Sequence, residues 1–121
     1  MLEIIDIGIP NAVAYRFGGK ITEEEMTSVI ARFREKIDLG EKLIVYQEVA
    51  SFGGVTFDAM AEKLKFFLDV GISHFSKIAV VTHKKWIHHL VDIEGKLFKG
   101  IDMKGFSIEE KDKAVAFLKS V

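Results

Sequence analysis

The chain has no cysteine, a single proline at position 10, and no apolar run near the ~18 residues of a membrane-spanning helix. Without cysteine there can be no disulfide, no thiol nucleophile and no thiolate metal site. An excess of one charge is lacking too, since 17 basic side chains stand against 18 acidic ones for a net charge of −1. A nucleic-acid binder normally carries a clear basic surplus, so nucleic acid is not an expected partner. Catalytic signatures are also missing. No serine sits in a Gly-x-Ser-x-Gly elbow. His83, His88 and His89 lack the spacing of three or four that would put two metal ligands on one helix face. Gly53-Gly54 is followed by neither the Lys-Ser/Thr of a phosphate-binding loop nor the third glycine of a dinucleotide fingerprint. The sequence therefore implies no cofactor, no metal and no enzyme activity. Met1 to Asp6 has neither a basic nor a long apolar leader, so a cytoplasmic protein is expected.

What is present is an ordered change of apolar period. The 121 residues, 49% hydrophobic and 29% charged, suit one domain over 1–121 with a single core. Leu2 to Ile7 and Ala12 to Gly19 read as strands joined by a turn at Ile9-Pro10-Asn11. Thr22-Glu23-Glu24-Glu25 is a capping box that opens a helix. Its core stripe is Met26, Val29, Ile30, Phe33 and Ile37, with Gly40 as a left-handed stop. Lys42 to Val49, with the run Leu43-Ile44-Val45-Tyr46, and Lys77 to Val81 are apolar on both faces, as central parallel strands are. Between them Thr56 caps a helix to about Val70. Thr82 caps another from His83 to about Leu97, Gly100 to Met103 forms a short edge strand, and the capping box Ser107-Ile108-Glu109-Glu110 starts a final helix to about Lys119. The fold expected is α/β in the order β-β-α-β-α-β-α-β-α, with a mixed four- to five-stranded sheet, because a tight β-β link makes an antiparallel pair and each β-α-β step a parallel one.

The 56–70 and 83–97 helices carry more apolar surface than one sheet contact requires. Phe66 lies about 180° from Phe57, with Val70 close to it on the same back face. Trp86, Leu90, Ile93 and Leu97 form one stripe, and Ile87, Val91 and Phe98 widen the apolar sector to about 160°. Lys84, Lys85 and His88 border it. Either the two helices bury these residues against each other, or they line a pocket with a basic rim that suits an amphipathic anion or a lipid headgroup.

The stretch Val49-Ala50-Ser51-Phe52-Gly53-Gly54-Val55-Thr56, then Leu64-Lys65-Phe66, then Phe75-Ser76-Lys77-Ile78-Ala79-Val80-Val81 with Trp86, resembles the bacterial SpoIIAA-like family, which belongs with STAS domains. The resemblance runs over nearly the whole chain. It implies a mixed sheet with helices packed around it, similar also to the lipid-carrying CRAL-TRIO topology. In STAS domains that antagonise anti-sigma factors, an Asp-Ser-Ser/Thr-Gly stretch carries a serine phosphorylated by a partner kinase. This chain has Ser51 and Thr56 in that region with no Asp directly before either.

The leading expectation is thus a STAS-like module that binds a small amphipathic or anionic ligand, with transient association at a membrane surface. Phe66, Val70, Trp86, Ile87 and Val91 form the apolar wall, Phe52 and Val55 the loop lid, and Lys84, Lys85 and His88 the anion rim. The alternative is an interaction switch of the anti-sigma-factor-antagonist type, with Ser51 or Thr56 as the phosphate acceptor. A homodimer is left open.

Overall fold

The computed structural model describes residues 1–20, 22–40, 42–50, 74–83 and 102–120. These build a five-stranded sheet from β1 (Leu2–Ile5), β2 (Ala12–Phe17), β3 (Leu43–Val49), β4 (Phe75–Thr82) and β5 (Asp102–Ser107), in the spatial order β1-β2-β3-β4-β5. Two α-helices accompany it, α1 (Glu23–Asp38) and α2 (Lys111–Lys119), and a short 3₁₀ turn at Ile108–Glu110 leads into α2. β1 pairs antiparallel with β2, and every other pairing is parallel. The strands around Leu43 and Ile78 are both interior, as their two-sided apolarity requires.

The hairpin shows why β1 is shorter than its apolar run. The Asp6 carboxylate accepts from the Gly8 N–H at 2.8 Å, which turns the chain out of the ladder, and Gly8 takes a φ of +77° that side chains disfavour. The Ala12 N–H then closes the turn onto the Ile9 carbonyl at 3.1 Å. α1 begins at the expected capping box. The Glu25 N–H donates to the Thr22 hydroxyl, and the Thr22 N–H to the Glu25 carboxylate at 3.1 Å. It ends before Gly40, whose φ of +78° makes the left-handed stop.

The sheet has a core on each face because side chains alternate along every strand. On one face Val13, Tyr15, Phe17, Val45, Val49, Ile78 and Val80 pack with Val29, Ile30 and Phe33 of α1, and Met26 and Ile37 flank them. Phe33 sits edge-on to both Tyr15 and Phe75, with ring centroids 6.4 and 5.6 Å away. On the other face Ala14, Tyr46, Ala79, Val81 and Phe106 pack with Ala114 and Leu118 of α2. Lys77 of β4 holds the far end of that helix, donating to the Phe117 carbonyl at 3.1 Å.

Thr82 ends β4, and its buried hydroxyl donates across the sheet to the Val49 carbonyl at 3.2 Å. One expectation is corrected. β5 runs to Ser107 rather than stopping at Met103, because Lys104, Gly105 and Phe106 continue the ladder opposite Ala79, Val80 and Val81. The expected 56–70 helix lies outside the described residues, as does the 83–97 helix except for exposed His83.

Phe33→Ala removes the ring that joins α1 to β2 and β4, and should lower stability by about 3–5 kcal/mol. Urea unfolding followed by circular dichroism measures this, and a loss under about 1 kcal/mol would show that Phe33 is not core.

Candidate functional site

Parallel strands leave the sheet at a common end, and in open α/β sheets ligands bind outside the strand carboxyl ends. In this chain that end bears a charged row on the α2 face. Tyr46 and Glu48 are two residues apart on β3 and so point to the same face. Glu48 lies opposite Arg16 of β2, and Arg16 opposite Glu3 of β1, so one row across three strands alternates acid, base, acid.

Glu48 is only 4% exposed and is surrounded by donors. Its Oε2 accepts from Arg16 Nε, its Oε1 from the Tyr46 hydroxyl at 2.9 Å, and Lys111 Nζ lies 3.4 Å from Oε1. Arg16 Nη1 reaches on to Glu3 at 3.5 Å. Lys111 arrives from the helix side because the Ser107 hydroxyl and N–H both bond the Glu110 carboxylate, at 2.9 and 3.1 Å, which places Lys111 as the first residue of α2.

The electrostatics follow from burial and pairing. Burial is the largest single influence on Glu48 and would raise its pKa. The hydrogen bonds from Arg16 and Tyr46 and the charges of Lys111 and Arg16 together outweigh it and hold the carboxyl below the usual range. Arg16 is raised by its hydrogen bond to Glu48. Tyr46 is pushed far above the usual phenol value by burial and then by donating to Glu48. At neutral pH Glu48 is therefore held as a carboxylate beside the Arg16 cation, and Tyr46 as a neutral phenol. Both Glu48 oxygens are occupied, so the group acts as a clamp between β2, β3 and α2 and is poorly placed to exchange protons.

The residues expected to form the ligand site do not enter this description. Phe52, Val55, Phe66, Val70, Lys84, Lys85, Trp86, Ile87, His88 and Val91, and the phosphate-acceptor alternatives Ser51 and Thr56, all lie outside the described residues. Their segments leave the sheet at this same end, after Ala50 and after His83. The sequence reading missed Arg16, Tyr46, Glu48 and Lys111. A signal existed, since Arg16 and Glu48 are single charges near the ends of otherwise apolar strands that the topology sets side by side. Among the described residues, no three of histidine, aspartate and glutamate come together as a metal site, and no helix is long and apolar enough to cross a membrane.

Glu48→Gln should cost about 1–3 kcal/mol at pH 7, because Arg16 is left facing a neutral partner. The pH dependence has a definite sign. A carboxyl depressed in the folded state contributes stability that is complete above its ordinary value of 4.5 and is lost as pH falls through the lower folded value. Wild type should therefore lose stability steeply below about pH 4.5, with a shallower slope in Glu48→Gln; parallel acid-unfolding curves would remove Glu48 from the account.

No curated protein matches the chain in sequence. Among solved structures it is similar to an uncharacterized protein with a SpoIIAA-like fold from Shewanella loihica PV-4, at 18% identity and a TM-score of 0.72, covering 98% of this chain and 92% of that one. That likeness bears on the fold alone. A family model described as SpoIIAA-like matches residues 12–119, which span β2 to the end of α2. With that match and the five-stranded mixed sheet, the chain belongs to the SpoIIAA-like family.

Proposed function

We propose that this SpoIIAA-like chain is a non-enzymatic, cytoplasmic module that takes a small amphipathic or anionic ligand at the carboxyl ends of β3 and β4 and associates transiently with a membrane surface. One observation carries the reading. β3 and β4 are adjacent and parallel, so the two segments that hold the apolar wall and basic rim, 51–73 and 84–101, both start at one end of the sheet. Phe66, Val70, Trp86, Ile87 and Val91 supply apolar contact, Phe52 and Val55 the lid, and Lys84, Lys85 and His88 the charge for an anionic head. Glu48 supports the non-enzymatic part, because the buried carboxylate at this end is saturated by Arg16, Tyr46 and Lys111.

Wild type should cosediment with anionic liposomes or take up a fluorescent fatty-acid probe at low ionic strength, and less so in high salt, since each near-surface lysine contributes about 1 kcal/mol toward anionic lipid. Phe66→Asp and, separately, Lys84→Glu with Lys85→Glu should each weaken binding while the circular dichroism spectrum stays the same. If wild type binds neither, or both variants bind as wild type does, the ligand reading fails, and a docking loop at Ser51 and Thr56 becomes the reading to pursue.

A further inference from the structure

The opposite end of the sheet holds a cavity. About 600 Å³ opens between the β1–β2 connection, the start of β2 and the second half of α1. That volume falls within the range of small-ligand sites. Ile4, Ile5, Ile7, Ile9, Ala12 and Val13 provide apolar lining, and the cations Arg32 and Lys36 project from α1 four residues apart, hence on one helix face.

The polar groups of this cavity are unequally engaged. The Asp6 carboxylate accepts from the Gly8 N–H at 2.8 Å and so serves the turn. Lys36 donates to the Pro10 carbonyl at 2.8 Å, which holds the connection against α1 and leaves two of its three N–H donors. Arg32 is exposed and makes no hydrogen bond or ion pair within the described residues. Arg32 and Lys36 against the single carboxylate of Asp6 leave the lining with an excess of one positive charge beside its isoleucines. An apolar concavity rimmed by unspent positive charge is complementary to a ligand with a hydrocarbon part and one negative group.

We propose that this cavity binds an amphipathic monoanion, an organic carboxylate with a short apolar chain, separately from the site at the strand carboxyl ends. The carboxylate pairs with the planar fork of Arg32 and a free donor of Lys36, and the chain lies along Ile4 and Val13, the lining residues on the α1 face of the sheet.

The test is a titration of the isotope-labelled full chain followed by amide chemical shifts, with octanoate as the probe and octanol and inorganic phosphate as controls. Octanoate should shift the amides of Ile7, Gly8, Ile9 and Ala12, with octanol and phosphate each binding more weakly because each offers half of the recognition. Arg32→Gln, at an exposed position without packing partners, should weaken octanoate by about five- to tenfold and leave the unfolding curve unchanged. Phe66→Asp should leave these shifts intact, which separates this site from the carboxyl-end reading. The proposal is overturned if the octanoate shifts fall only at Ala50 and His83, if none occur at millimolar probe, if octanol or phosphate binds as tightly, or if Arg32→Gln titrates like wild type.

Discussion

A carboxylate that is 4% exposed on the middle strand of a sheet has to be surrounded by donors, and the sources of those donors tie together most of the described chain. Glu48 draws Arg16 from β2, Tyr46 from its own strand and Lys111 from α2. Arg16 then draws Glu3 from β1. Removing one partner would leave another charge poorly matched at low dielectric, so the row acts as a unit. It also sets where α2 lies. With Lys111 at one end near Glu48 and the Phe117 carbonyl at the other held by Lys77, the helix has little freedom to slide over Ala79 and Val81.

The same strand explains the two-layered cover. β3 has no solvent face, so it needs apolar partners above and below, and α1 and α2 meet that need on opposite sides. The polar side chains that β3 does carry are each answered from the adjacent strand or helix: Gln47 accepts from the Tyr15 hydroxyl at 3.0 Å on the α1 face, and Glu48 collects its donors on the α2 face. The parallel arrangement of β2, β3 and β4 also gives the sheet two chemically different ends. Its carboxyl end bears the saturated charged row, and its amino end bears an isoleucine-lined hollow under two cations of α1.

Much of this was legible in the sequence because it depends on local rules. The capping box at Thr22 and Glu25, the stop at Gly40 and the stripe Val29, Ile30, Phe33 follow from hydrogen-bond geometry and helical periodicity within a few residues of each other. The short hairpin link dictated an antiparallel pair, and the apolar runs at Leu43 and Ile78 dictated interior parallel strands. The resemblance carried by Val49 to Thr56 and Phe75 to Val81 led to the right family.

What tertiary structure alone decided are the features that depend on register between distant segments. A lone Arg16 and a lone Glu48 have no reason to be associated in sequence, and only the β2–β3 pairing sets them face to face. The Thr82 hydroxyl finds its acceptor at the Val49 carbonyl, which only the pairing of β3 with β4 brings within reach. β5 reads as ending at Met103, yet the unpaired edge of β4 extends it to Ser107. Arg32 and Lys36 lie outside the core stripe of α1, and they become the rim of a cavity only because the β1–β2 connection stands over that part of the helix. In each case the deciding energy is a contact across tens of residues, and a single chain read in order gives short-range periodicity but not the register that creates such contacts.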